Sequence, residues 1–189
     1  MNTVSGSAAG TPLADLMYVI AMSKVMQKLR NDIEIENLIE VVNMNGIDVK
    51  VHEVGYVDDS AIFVFSDATN LVRLTCRVAT IAMRVFTQYA MELNWKPGKS
   101  EVLPVWRGPG CKKEQRKLEL DLNSSVPCTS GNFHFILRFV RNYKHLGTLF
   151  DANGDVKSEV ATKAAIMKSE SSKLRSRVFA NPGISTKKK

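Results

Sequence analysis

At 189 residues, 44% of them hydrophobic and 24% charged, the chain has the make-up of an ordinary globular protein with room for one domain and a proper core. No apolar run approaches the ~20 residues that cross a bilayer, the polar start Met1-Asn2-Thr3-Val4-Ser5 is no signal peptide, and three scattered cysteines argue against a disulfide framework and for a reducing, intracellular setting. Of the net charge of +7, six fall from Asp155 onward, an asymmetry that suits either a polyanion partner or a solvated helix with a disordered Lys187-Lys188-Lys189 tail.

Residues 1 to 9 are small and polar and carry no periodicity. Thr11-Pro12 is a helix start, with Thr as N-cap and Pro at the first helical position. Leu13, Leu16, Met17 and Ile20 follow at helical spacing, which predicts a helix to about Arg30 with that face on the core. Asn45-Gly46 suits the positive φ angles of a type I′ turn, so Val41 to Val49 reads as a hairpin. A second hairpin is expected next, with a first arm over about Val49 to Val57, Asp58-Asp59 at its bend, and Ala61-Ile62-Phe63-Val64-Phe65 returning. The return arm is apolar on both faces, which predicts a strand in the middle of a covered sheet.

Asp67 is a helix cap, and Leu71, Leu74, Val78, Ala82, Val85, Tyr89 and Leu93 form a long apolar stripe that should end near Asn94, ahead of Pro97-Gly98. Glu101 to Trp106 reads as a strand, and Lys112 to Leu122 as a short helix or a solvated connection. Phe133 to Val140 alternates like a strand and continues through Tyr143 to Gly147. After a turn at Asp151-Ala152-Asn153-Gly154, a basic helix is expected from about Asp155 to Phe179, stopped by Asn181-Pro182-Gly183. Met17, Met22, Met26, Met83 and Met91 fall on expected helices and are read as core filler. Trp95 and Trp106 are read as packing residues, with base stacking as the alternative, and His52 as a structural residue on a strand face.

Two adjacent carboxylates at the end of an apolar hairpin repel each other and lose hydration, and a cation relieves both penalties. Mg²⁺ takes oxygen ligands and is commonly held by one or two carboxylates together with substrate phosphates. An exposed turn, where Asp bonds its own backbone, would account for Asp58-Asp59 taken alone. Cys111, Cys128, His134 and His145 match no compact zinc spacing.

Gly55-Tyr56-Val57-Asp58-Asp59 followed by a five-residue apolar run resembles the Tyr-x-Asp-Asp motif of reverse transcriptases, where viral RNA-copying polymerases usually show Gly-Asp-Asp. Three further segments resemble that family in its order. Gly10-Thr11-Pro12-Leu13 is similar to the loop and helix that line template and incoming nucleotide. Leu93-Asn94-Trp95-Lys96-Pro97-Gly98-Lys99-Ser100 is similar to the segment with Asn and a later Lys near the leaving phosphates. Tyr143-Lys144-His145-Leu146-Gly147 is similar to the primer grip. The pattern is closest to the non-LTR, LINE-like retroelements.

The resemblance implies an α+β fold: a polymerase palm-like antiparallel sheet with the catalytic β-hairpin packed on two long helices, then a small helical thumb segment. It implies a partial palm over residues 1–150, a basic thumb-like helix over 151–180 and a disordered tail over 181–189. Asp58 and Asp59 would hold Mg²⁺ or Mn²⁺ for two-metal nucleotidyl transfer, and Lys99 would be a proton donor or charge partner. Gly10, Thr11, Pro12 and Tyr56 would face nucleotide and template. The expected partners are an RNA template, a DNA primer and deoxynucleoside triphosphates. The family also has an aspartate on a strand upstream of the Gly-x-Pro loop, but only nine residues precede Gly10 and none is acidic. The fingers are missing as well, Ala9 stands where the family usually has Gln, and Ala14-Asp15 where Ser-Pro is common. The chain alone is therefore expected to be inactive, and a non-catalytic nucleic-acid-binding remnant of a retroelement is the alternative.

Overall fold

The computed structural model describes residues 12–38, 41–51, 53–56, 59–145 and 148–175. They form a mixed, α+β arrangement of four helices and small antiparallel sheets. The chain divides into two compact units, one from Met1–Ser100 with Trp106–Arg138, the other from Glu101–Val105 with Phe139–Lys189.

In the first unit, α1 (Pro12–Ile35) packs on α2 (Ala68–Gln88). Met22, Val25, Leu29 and Ile33 of α1 meet Val78, Ile81, Ala82 and Val85 of α2, and Leu29, Val25, Ile81 and Val85 are fully buried. The charged rim of this contact is knitted by Asp32, which is buried and holds Lys28 at 2.5 Å and Arg84 at 3.2 Å, and by Glu36, which takes both forks of Arg77 at 2.5 and 2.8 Å. Hydrogen-bonded charge satisfies a carboxylate that burial alone would penalise.

The expected core face of α1 is corrected. Leu13, Leu16, Met17 and Ile20 are all more than half exposed. At about 100° per residue they lie roughly opposite Met22, Val25, Leu29 and Ile33. Helix α1 thus carries apolar stripes on opposite sides in its two halves, and only the second faces α2. Met17 is exposed with its stripe, whereas Met22 and Met83 are buried and Met26 and Met91 pack on the core. Met91 does so just beyond α2 and not on a helix.

Both helix ends are set by left-handed residues. Asn37 (φ 53°) follows α1, with Asn37 N–H donating to Glu34 O and Leu38 N–H to Ile33 O, the paired bonds of a Schellman cap. Ala90 (φ 55°) does the same after α2, with bonds to Thr87 O and, from Met91, to Phe86 O. Leu38 and Met91 then turn back onto the core. The expected run of α2 to Asn94 is therefore too long, and that of α1 to Arg30 too short. Asp67 caps α2 as expected, its side chain accepting from Asn70 N–H at 2.9 Å. The expected Thr11 cap lies outside the described residues.

Strands β1 (Val41–Met44) and β2 (Ile47–Lys50) form the Asn45-Gly46 hairpin, with φ angles of 55° and 84° at its turn as that dipeptide predicts. Strands β3 (Glu53–Tyr56) and β4 (Asp59–Ile62) form a second hairpin. Helix α3 (Cys111–Asp121) and the pair β5 (Ser125–Ser130) and β6 (Phe133–Arg138) complete this unit. In the second unit, β7 (Asn142–His145) pairs with β8 (Thr148–Asp151), α4 (Lys157–Leu174) lies against β8, and Val102 makes one parallel bridge to Phe139. Of the expected strand Glu101 to Trp106, that bridge alone is formed.

Among the described residues, all eight strands sit in four separate two-stranded sheets, so no continuous covered sheet is present. The return arm departs from expectation for this reason. Its strand is Asp59–Ile62, and Phe63 and Phe65 are about two-fifths exposed while Ile62 and Val64 pack on the α1–α2 core. A ribbon with one face on helices buries every second residue only. The strand expected to run from Phe133 to Gly147 is broken at Arg138 and resumes as β7. No helix of the described residues is long and apolar enough to cross a membrane.

Candidate functional site

The Tyr-x-Asp-Asp segment occupies the end of the β3–β4 hairpin. The register pairs Glu53 with Ile62, Val54 with Ala61, Gly55 with Ser60 and Tyr56 with Asp59. Only Val57 and Asp58 separate the last paired residues, and both lie outside the described residues. Asp59 therefore begins the return strand, one residue earlier than a bend at Asp58-Asp59 would have it. Of the residues read as catalytic or metal-holding, the structure describes the backbone of Asp59, and Lys99; of Tyr56, read as bordering nucleotide and template, it describes the backbone. Among the described residues, no group of three His, Cys, Asp or Glu side chains comes together as a metal site.

The hairpin is fastened to helix α1 at its base. Glu53 forms an ion pair with Arg30, whose guanidinium is pushed further up from its ordinary pKa mainly by that hydrogen bond. Lys50, at the end of β2, pairs with Glu34 at 3.2 Å. Ile62 and Val64 supply the apolar anchor.

Lys99 sits on a compact loop. Asn94 organises that loop twice: its side-chain oxygen accepts from Lys96 N–H at 3.1 Å and its carbonyl from Ser100 N–H at 2.9 Å. Lys99 N–H closes a turn onto Lys96 O at 3.1 Å, and Gly98 at φ 76° takes a conformation that side chains resist. The Asn and Lys of this segment are thus parts of one hydrogen-bonded turn, and the Lys99 side chain is exposed. Trp95 is the root of the loop. Its ring stacks on Phe135 with centroids 4.3 Å apart, its Nε1–H points to Met83 Sδ at 3.4 Å, and its carbonyl accepts from Arg138. It is a packing residue, as its sequence position suggested, and Trp106 is half-buried.

Of the nucleotide-loop residues, Gly10 and Thr11 lie outside the described residues, and Pro12 opens α1. Of the primer-grip residues, Tyr143, Lys144 and His145 form β7, paired with Phe150, Leu149 and Thr148. Leu146 and Gly147 lie outside the described residues, between the paired ends His145 and Thr148. Lys144 is exposed and Tyr143 half-buried. Glu159 of α4 accepts Leu149 N–H at 2.8 Å, so α4 is tied to this hairpin. No residue of α4 is buried. Its Lys163 pairs with Glu159 and its Lys173 with Glu170.

Sequence reasoning missed the basic face of α3. Lys112, Lys113, Arg116 and Lys117 line one open cleft of about 450 Å³ together with Leu120 and Asp121. Leu118, on the opposite side, is buried and anchors the helix. None of the four cations is in an ion pair among the described residues. The spacing of one and four residues was the readable sign, because it places all four on one helix face. Cys128 and His134 face different neighbours, Cys128 donating to Val126 O and His134 bonding Thr129, so the zinc set does not assemble among the described residues. His52 is outside them. Compared with known proteins, the chain matches no family model, no curated protein and no solved structure.

Proposed function

We propose that the chain is the palm and thumb portion of an RNA-directed DNA polymerase of the retroelement type. The observation that carries this reading is the register Tyr56 to Asp59, because it sets the Tyr-x-Asp-Asp segment at the tight end of an anchored hairpin. That is where a metal-holding carboxylate pair needs to project. Asp58 and Asp59 would hold Mg²⁺ or Mn²⁺, which when bound activate an attacking 3′-hydroxyl and stabilise the departing pyrophosphate. Lys99, exposed on its Asn94-organised turn, would meet the leaving phosphates as charge partner or proton donor. The β3–β4 hairpin on α1 and α2 would be the core of a palm, β7 with Lys144 the primer grip, and α4 the start of a thumb. Gly10, Thr11, Pro12 and Tyr56 would border the nucleotide and template.

A second reading, a nucleic-acid-binding remnant without catalysis, has its own support in the unpaired basic face of α3. The two readings separate by titrating the full chain with Mn²⁺ and following the electron paramagnetic resonance of the free ion, with and without an RNA–DNA duplex. The polymerase reading expects the wild type to bind Mn²⁺ and the Asp58→Asn/Asp59→Asn double variant to lose it while keeping the duplex. Equal Mn²⁺ binding by the two proteins overturns that reading. Duplex binding by a wild type that takes up no metal favours the second.

A further inference from the structure

Two of the three cysteines, far apart in the sequence, meet where the β5–β6 ribbon rests on α2. Cys76 and Thr80 are one helical turn apart and share a face of α2, and Cys128 and Ser130, two apart on β5, share a face of the ribbon. Ser130 Oγ–H donates to Thr80 O at 3.2 Å, which docks one face on the other. The same docking brings Cys128 to the side of α2 that carries Cys76, so that both side chains border one cleft. Cys128 is buried and Cys76 half-buried, yet both line an open cleft of about 470 Å³ that also receives Arg73, Arg77, Pro127 and Thr129. A small oxidant has a way in.

We propose that Cys76 and Cys128 are a peroxide-oxidisable dithiol that closes to a disulfide and fastens the β5–β6 ribbon to α2. The roles of the two sulfurs differ. Interaction with Cys128, with burial second, holds the Cys76 thiol above the ordinary thiol range, while the same interaction draws Cys128 below it. Cys128 therefore ionises first and is the nucleophile. Its thiolate attacks one oxygen of hydrogen peroxide and the O–O bond breaks, leaving Cys128 as sulfenic acid. The departing hydroxide takes up the proton that Cys128 released and becomes water. The Cys76 sulfur then attacks the sulfenyl sulfur: the S–S bond forms, the S–O bond breaks, and hydroxide leaves with the Cys76 proton as a second water. Two thiols have lost two electrons and two protons, and one peroxide has become two waters.

The test is a peptide map. The full chain is treated with hydrogen peroxide, its remaining thiols are alkylated with iodoacetamide, and tryptic peptides are weighed. The expected product joins the peptide Leu74–Arg77 to Leu118–Arg138, leaves Cys111 alkylated, and separates again in dithiothreitol. The oxidised protein should also melt several degrees higher, because a cross-link restricts the unfolded chain. In a Cys76→Ser variant the reaction should halt at Cys128 sulfenic acid, trapped by dimedone. Three alkylated cysteines after peroxide, Cys128 recovered as sulfinic acid in the wild type, or a link to Cys111 each overturn the proposal. The wild-type map decides even if the variant does not fold.

Discussion

The basic face of α3 makes a quantitative prediction about nucleic-acid binding. Lys112, Lys113, Arg116 and Lys117 share one cleft, and none spends its charge on an ion pair among the described residues. Replacing all four by Gln leaves the anchoring Leu118 untouched, and Gln is a good helix former, so α3 should persist. Each phosphate neutralised on duplex DNA releases counterions and contributes about 0.9 to the slope of log affinity against log salt. Four contacts therefore account for a slope of about 3.6, or roughly a 150-fold loss of affinity on going from about 50 to 200 mM salt. Fluorescence anisotropy of a labelled duplex, titrated with wild type and variant across that salt range, reads both slopes. The variant should bind more weakly at low salt and should converge on the wild type as salt rises. Circular dichroism checks that the helix is intact. Equal slopes for the two proteins would show that this face meets no phosphate, whatever the absolute affinities.

Two further outcomes concern stability. Ala90 holds a left-handed conformation (φ 55°) that costs a side-chain-bearing residue ~1–2 kcal/mol, while Gly loses ~0.5–1 kcal/mol more in unfolded-state freedom. Ala90→Gly should then stabilise the chain by up to about 1 kcal/mol and raise Tm by roughly 1–4 °C in a thermal melt; an unchanged or lower Tm would contradict the assignment of a Schellman cap there. Asp67 is held below its ordinary carboxylate pKa by hydrogen bonds from Thr69 first and then from Asn70. Its folded value lies under its unfolded one, so its contribution is full above the ordinary value of about 3.9 and disappears as pH falls through the folded value. Calorimetry in acid should show the wild type losing Tm faster than Asp67→Asn, which keeps a capping oxygen that does not titrate; parallel curves would remove the cap from the account.

What could be read from the sequence was local and chemically specific. Asn45-Gly46 announces its turn because few other pairs accept two positive φ angles, and Asp67 announces α2 because its oxygen has an orphan N–H to meet. The hairpin around Tyr56 and Asp59 was legible as a pairing of two strands, although both are shorter than the expected arms. What failed depended on partners the sequence does not name. The two stripes of α1 look equally fit for a core, and only the position of α2 decides between them. Ala90 carries no sign that it ends a helix, so the stripe through Tyr89 and Leu93 ran past the true stop. Strand β5 reads Ser-Val-Pro-Cys-Thr-Ser, with a Pro and little apolar alternation, and its readable mark was the Gly131-Asn132 turn that pairs Ser130 with Phe133. The meeting of Cys76 with Cys128 had no sequence signal, because it follows from where that ribbon lands on α2.

The proposed chemistry makes a demand that the hairpin cannot meet by itself. A two-stranded ribbon of four-residue strands is marginal in water, so any precision at its tip is borrowed from what it rests on. The Arg30–Glu53 pair is a weak lender: Arg30 is about half exposed, and solvent-exposed ion pairs contribute up to ~1 kcal/mol at best. Apolar burial is stronger, at ~1.5–3 kcal/mol for a fully buried Ile or Val side chain and somewhat less for the partly buried Ile62 and Val64. Those two side chains rest on the same cluster as Leu29 and Ile81, which are fully buried, and Met91 and Leu93 bring the start of the Asn94–Lys99 loop onto that cluster too. The segment proposed to hold metal and the lysine proposed to meet the leaving phosphates are therefore mounted on one helical pair. A change in the α1–α2 core that touches neither should still disturb both together.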